Sequence, residues 1–210
     1  GLPLPTECTL VAPEAPGGHA LCDMGSFLAH ADNPDALFAG QSTEDALWFR
    51  SQLCKVADLW ARMPSVRVLC HGDPYLDNVL VKLQGTLLLL VDWEDACATH
   101  PVVDIAACAV GTCFTLTLGE GESKEAPVEL LQERLRCLLK GYEGKRPLEA
   151  EEKGLLRPAM QACAWACGAF RYGRFLEGVT DVKTLRYGQL REVVELLEGL
   201  GSNFEAAAFS

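Results

Sequence analysis

The chain has 210 residues, 49% of them apolar and 22% charged, enough for one full hydrophobic core and unlike a disordered, collagenous or coiled-coil sequence. Eighteen Lys and Arg stand against 29 Asp and Glu, and the formal net charge of −11 repels phosphate backbones and anionic lipid, so neither nucleic acid nor a membrane is an expected partner. The longest aliphatic run, Leu87 to Val91, falls far short of the ~20 residues a spanning helix needs, which leads us to expect a soluble protein.

Residues 1–20 hold four of the eleven prolines and three glycines with little periodicity, and read as an irregular entry segment. With no basic-apolar leader and no starting Met, the chain reads as a fragment or a trimmed product. A helix is predicted from Ser42 or Thr43, with Ser42 and Asp45 spaced to cap it and Leu47, Phe49, Leu53, Val56 and Trp60 as its apolar positions; Met63-Pro64 ends it. Three β-rich runs come next, Val66 to Cys70, Val79 to Leu83 and Leu87 to Val91, the last two joined by the turn former Gln84-Gly85 and expected to pair as a hairpin. From Asp104 the pattern is helical, first to near Leu118, then from Pro127 to Tyr142 with the proline in the first turn. Further helices are predicted over Leu148 to Glu177, broken or kinked at Pro158, and over Asp181 to Leu197. The fold class is α+β and mainly helical, one body over residues 21–200 with a tail at 201–210.

The ten cysteines contain no Cys-x-x-Cys pair and are mostly set in apolar stretches, where a reduced thiol acts as a small hydrophobe. They imply a reducing compartment, the cytoplasm or an organelle.

Polar residues concentrate in His71-Gly-Asp-Pro-Tyr-Leu-Asp-Asn78 and, after the hairpin turn, in Asp92-Trp-Glu. Phosphoryl transfer needs a carboxylate to orient and deprotonate the attacking hydroxyl, and hard oxygen ligands for the Mg²⁺ that accompanies a nucleoside triphosphate. Asp73, Asn78 and Asp92 are of those types, and an antiparallel hairpin returns the third to the end where the first two lie.

This segment resembles the catalytic core of the aminoglycoside phosphotransferase and choline kinase superfamily, with its His-x-Asp followed by Asn five positions beyond the Asp. The resemblance implies a protein-kinase-like C-terminal lobe whose small β-hairpin carries the catalytic and metal residues. It makes Asp73 the catalytic base, Asn78 and Asp92 the ligands of Mg²⁺ and ATP, His71 a structural residue, and Asp104 of Pro101-Val-Val-Asp104 a brace for the loop. All these features fall in order within the 34 residues from His71 to Asp104. Lys140-Gly-Tyr142, Arg146-Pro147-Leu148 and Glu151, followed by a helix with Arg171 and Arg174, are similar to the homoserine kinase branch; the two arginines become candidates for a substrate carboxylate. An aminoglycoside acceptor would instead use an acidic rim such as Glu94 and Asp95, and a choline acceptor an aromatic cage such as Trp93 and Trp165.

The N-lobe that covers the nucleotide in two-lobed kinases is not recognisable. Only 70 residues precede His71, their one lysine is Lys55 within the predicted helix, and Gly17-Gly18 is a poor substitute for a phosphate loop. Two readings remain: an ATP-dependent phosphotransferase lobe acting on a small alcohol, homoserine-like first, or an inactive pseudokinase or binding module. The first would have its N-lobe on a longer precursor or a partner chain, and an orphan lobe is expected to form a homodimer or to expose a large apolar patch.

Overall fold

The computed structural model describes residues 24–64, 67–81, 88–116 and 127–209. The entry segment 1–20 and the turn Gln84-Gly85 lie outside them. In chain order the elements are α1 (Met24–Leu28), α2 (Glu44–Ala61), β1 (Val68–Cys70), β2 (Val79–Val81), β3 (Leu88–Leu90), β4 (Cys97–Thr99), α3 (Pro101–Thr112), α4 (Gln132–Glu143), α5 (Ala150–Leu176), α6 (Val182–Leu185), α7 (Tyr187–Leu200) and α8 (Asn203–Phe209). Short 3₁₀ turns interrupt the chain at Pro34–Ala36, Leu76–Asn78 and Trp93–Asp95. The mainly helical α+β class expected from the sequence is the one observed.

α5 is the axis of the body. Its residues Ala159 to Ala169 are buried on every side, and it packs against α2, α3 and α7. Pro158 lies within it and does not break it. A mid-helix proline costs about 3 kcal/mol, a sum that burial of several large side chains, Leu156, Met160, Trp165 and Tyr172 among them, outweighs.

α2 begins one residue later than the spacing of Ser42 and Asp45 suggests. Thr43 is the N-cap, its Oγ1 accepting from the amide of Ala46 at 3.2 Å and also bonded to the Tyr172 hydroxyl at 2.5 Å. The buried stripe is Ala46, Phe49, Leu53 and Val56, while Leu47, expected on the apolar face, is exposed. An alanine is a weak hydrophobic signal, so the leucine beside it marks the stripe one position off.

α3 starts earlier and stops sooner than its apolar pattern implies. His100 caps it by accepting from the Val102 amide at 3.2 Å, Pro101 fills the first helical position where no N–H is needed, and the helix ends at Thr112. Residues 127–131 are not the first turn of α4. They run alongside the end of α3, through a Phe114–Leu130 bridge and a Leu131 amide bond to the Cys113 carbonyl at 2.8 Å, and α4 opens only at Gln132.

The strands form two antiparallel pairs among the described residues. β2 and β3 make the expected hairpin, Val79 opposite Leu90 and Val81 opposite Leu88. β1 pairs with β4, a strand the sequence did not signal because Cys97-Ala-Thr99 has little β-character; Val68 faces Thr99 and Cys70 faces Cys97. These two ladders carry the loops of the candidate site. Leu80, Val81, Leu88, Leu89 and Leu90 of the hairpin are exposed.

The eight described cysteines are free thiols, and burial pushes Cys70 up to about 12 and Cys108 up to about 11, far from the thiolate form. No described helix is long and apolar enough to cross a membrane.

Residues 203–209, expected as a tail, form α8, which packs on α4, α5 and α7 with Phe204 and Ala208 buried. Replacing Phe204 by Ala should cost about 3–4 kcal/mol, read as a lower midpoint in urea at unchanged slope; a loss under about 0.5 kcal/mol would show that α8 is dispensable.

Candidate active site

The loop after β1 is held from below by one carboxylate. Asp104, in the first turn of α3, accepts from the amide of His71 through Oδ2 and from that of Gly72 through Oδ1, each at 3.0 Å. Gly72 has φ +86°, and a Cβ there would lie 2.1 Å from the Asp95 carbonyl oxygen, so only glycine lets the loop pass this close to the turn at Trp93–Asp95.

His71 is fully buried and joins the loop to the hairpin. Its Nδ1 accepts from the Asp73 amide at 3.3 Å, which leaves the proton on Nε2 to be donated to the Val91 carbonyl at 2.8 Å. The preceding peptide is held as well, the Val91 N–H donating to the Asn78 carbonyl at 2.9 Å. Asp92 comes at once after it, in the left-handed region at φ 65°, with its side chain exposed. Thus one buried imidazole and one backbone bond tie the position of Asp92 to that of the loop.

Asn78 is buried, and its side-chain amide nitrogen donates twice to Asp73, to the carbonyl at 2.8 Å and to Oδ2 at 2.9 Å. That orients both groups: the Asp73 carboxylate is fixed, and the amide oxygen of Asn78 is turned away from the bonded pair. Asp73, Asn78 and Asp92 line a single cavity of about 450 Å³, the size of a small-molecule site. A hard cation would find the amide oxygen of Asn78 and the carboxylate of Asp92 here. Among the described residues no three His, Cys, Asp or Glu side chains group as a metal cage, so the donor set fits an ion that keeps water or phosphate oxygens as its other ligands.

Helices close the other side. Gly111 of α3 faces Tyr75, whose ring atoms would lie 2.2 Å from a Cβ at that position, so the loop packs directly on the α3 backbone. Burial pushes the Tyr75 hydroxyl well above the usual range, reinforced by Cys167. Arg171 of α5 lines the cavity with its Nε 3.4 Å from Cys167 Sγ. Burial works against its charge, but Cys167, Tyr75 and Asp73 nearby outweigh that and keep it a cation. Arg174 is more exposed, lines the same cavity and pairs with Glu177 at 3.0 Å.

Other expected participants lie elsewhere. Arg146 grips the buried Glu152 with Nη2 2.6 Å from Oε1 and Nη1 3.2 Å from Oε2, and His100 Nε2 approaches the same carboxylate at 3.7 Å. Burial alone would raise Glu152, but the Arg146 hydrogen bonds win and hold it below its ordinary value. The Arg146 region therefore joins the α4–α5 corner to the start of α3 and does not line the cavity. Lys55 is on the surface, bridging α2 to Glu198 of α7 at 3.1 Å. Trp165 is core, its indole N–H donating to the Phe49 carbonyl at 3.2 Å, so it forms no cage. Trp93 is exposed beside the site with its ring 4.6 Å from that of His71. Asp95 is buried under Gly72 and cannot serve as an acidic rim; Glu94 is exposed. Sequence reasoning missed Arg134 and Arg186, which also line the cavity. Nothing local marks them; a helix arginine near the surface is commonplace.

Comparison with known proteins gives a family and a fold. The family model described as "Phosphotransferase enzyme family" matches residues 3–148, which include the whole loop, hairpin and bracing Asp104. The chain belongs to the phosphotransferase enzyme family. Solved structures similar to this phosphotransferase-family chain include an ethanolamine kinase of Plasmodium vivax (16% identity, TM-score 0.56, 88% of this chain and 50% of that one). Another is a choline/ethanolamine kinase family protein of Mesorhizobium loti (15% identity, TM-score 0.55, 88% and 58%), and a third a choline kinase of Cryptosporidium parvum Iowa II (10% identity, TM-score 0.56, 95% and 62%). At these identities the likeness is one of fold, and this chain spans between 50% and 62% of the length of those structures.

Gly72→Ala should lower stability by about 1–3 kcal/mol through strain at positive φ and abolish whatever chemistry the loop performs. Thermal unfolding together with an activity or nucleotide-binding assay checks both; an alanine variant of wild-type stability would show that the loop has another way past Asp95.

Proposed function

We propose that this chain is the catalytic lobe of an ATP-dependent phosphotransferase that acts on the hydroxyl of a small molecule, with a homoserine-like hydroxy amino acid as the first candidate acceptor. The observation that carries the proposal is the joint placement of Asp73, Asn78 and Asp92 on one cavity, with Asp73 and Asn78 locked together by two hydrogen bonds. In this reading Asp73 receives the acceptor's hydroxyl proton as its oxygen forms a bond to the γ-phosphorus; the bond from that phosphorus to the β–γ bridging oxygen breaks, and ADP leaves. Asn78 and Asp92 would hold the Mg²⁺ that neutralises the triphosphate. His71 and Asp104 touch no reactant and position the loop. Free thiols at the eight described cysteines, four of them buried, suit a reducing compartment.

A choline or ethanolamine acceptor is the competing reading, favoured by the names of the similar structures and by exposed Trp93 next to Asp92. The family membership and the residues retained in the loop speak for a catalyst over a binding module.

Asp73→Asn keeps the shape of the side chain and removes the proton acceptor. It should lower kcat by about 10²–10⁴-fold with little change in the Kd for MgATP, measured by coupled ADP release and calorimetry on the full-length protein. Asp92→Ala should instead weaken MgATP binding. Near-wild-type turnover in Asp73→Asn would remove Asp73 from the role of base.

A further inference from the structure

The cavity that holds Asp73 is also lined by four arginines, Arg134, Arg171, Arg174 and Arg186. They come from three separate parts of the helical body: the first turn of α4, the last turns of α5 and the junction between α6 and α7. The carboxylates Asp73, Asp77 and Asp92 come from the loop and hairpin, and the remaining acid, Asp181, has its Oδ1 committed to the Thr184 amide at 2.7 Å. The protein has 18 basic residues against 29 acidic ones, whereas the lining of this cavity holds four arginines and four aspartates. Arg134 Nη1 lies 3.4 Å from the Thr112 carbonyl, and Arg171 Nε donates to the Cys167 sulfur at 3.4 Å. Phe114 and Phe170 add apolar lining to the same cavity.

Resting on the phosphotransferase reading above, we propose that the acceptor carries an anionic group, a carboxylate or a phosphate, which this arginine wall binds while Asp73 faces the hydroxyl. Guanidinium groups bind such oxyanions in pairs of parallel hydrogen bonds, and a quaternary or primary ammonium group gains nothing from them. Arg134 and Arg186 join Arg171 and Arg174 as specificity residues, and the wall selects against choline and ethanolamine. Arg171 feels the charge of Asp73.

Matched acceptors test this on the full-length protein. L-Homoserine and 3-amino-1-propanol share a hydroxyl and an ammonium and differ by a carboxylate; glycerol 3-phosphate and glycerol differ by a phosphate. Calorimetric binding and coupled ADP release are both measured, with choline and ethanolamine as cationic controls. The expected result is that the anionic member of at least one pair binds at least tenfold more tightly than its partner. Arg134→Gln and Arg186→Gln, both checked for fold by circular dichroism, should each raise the Kd of that acceptor about tenfold while leaving the Kd of MgATP unchanged. Equal binding within both pairs, a preference for the cationic controls, or a rise in the nucleotide Kd in place of the acceptor Kd would each overturn the proposal. Selective binding of an anionic member without phosphoryl transfer would uphold the arginine wall and count against the catalytic reading, so the two fail separately.

Discussion

The grip of Asp104 on two successive backbone amides is the constraint from which the site is built. A carboxylate accepting charge-assisted bonds from adjacent N–H groups fixes both the height and the direction of the chain as it leaves β1. Because Asp104 belongs to the first turn of α3, whose start is set by His100 and Pro101, the loop takes its position from the helical core and needs no flexible support. The rest of the loop inherits that position: His71 reaches to Val91, Asp73 is bonded to Asn78, and Tyr75 lies against Gly111.

The division of labour between the two sides of the cavity comes from the same arrangement. The loop and hairpin bring oxygen atoms, which suit a cation and a proton transfer. The helices bring guanidinium groups, which suit an anion. The two kinds of group come from different elements yet line one cavity, with Arg171 close enough to Asp73 to feel its charge.

Much of this was legible in the residues. Loop, hairpin, terminal Asp and later Asp are close in sequence, and β-rich runs with a turn former between them determined the pairing of β2 with β3. Long amphipathic helices were found, yet their ends were not, because those ends are decided by contacts remote in sequence. Residues 127–131 bond to the end of α3 and stay extended, and α5 passes through Pro158 because it is buried all round. β4 is a strand only because β1 is beside it. The arginine wall was half seen: Arg171 and Arg174 share one helix and could be paired by spacing, whereas Arg134 and Arg186 reach the cavity from elements whose packing no local pattern reveals. Conversely, Arg146 and Trp165 attract notice in the sequence and turn out to serve a buried ion pair and the core.

The two-sided hold on Val91 says where this family member can change in length. With its carbonyl bound by His71 and its amide by Asn78, the count of residues along β3 is coupled to the count along β2 through the pairs Val79–Leu90 and Val81–Leu88. One residue gained or lost within either strand would turn its side chains over and carry Asp92 a step away from Asn78. Matched changes beyond Val81 and before Leu88 would leave that spacing untouched, so indels in descendants of this gene should gather there and spare the strands.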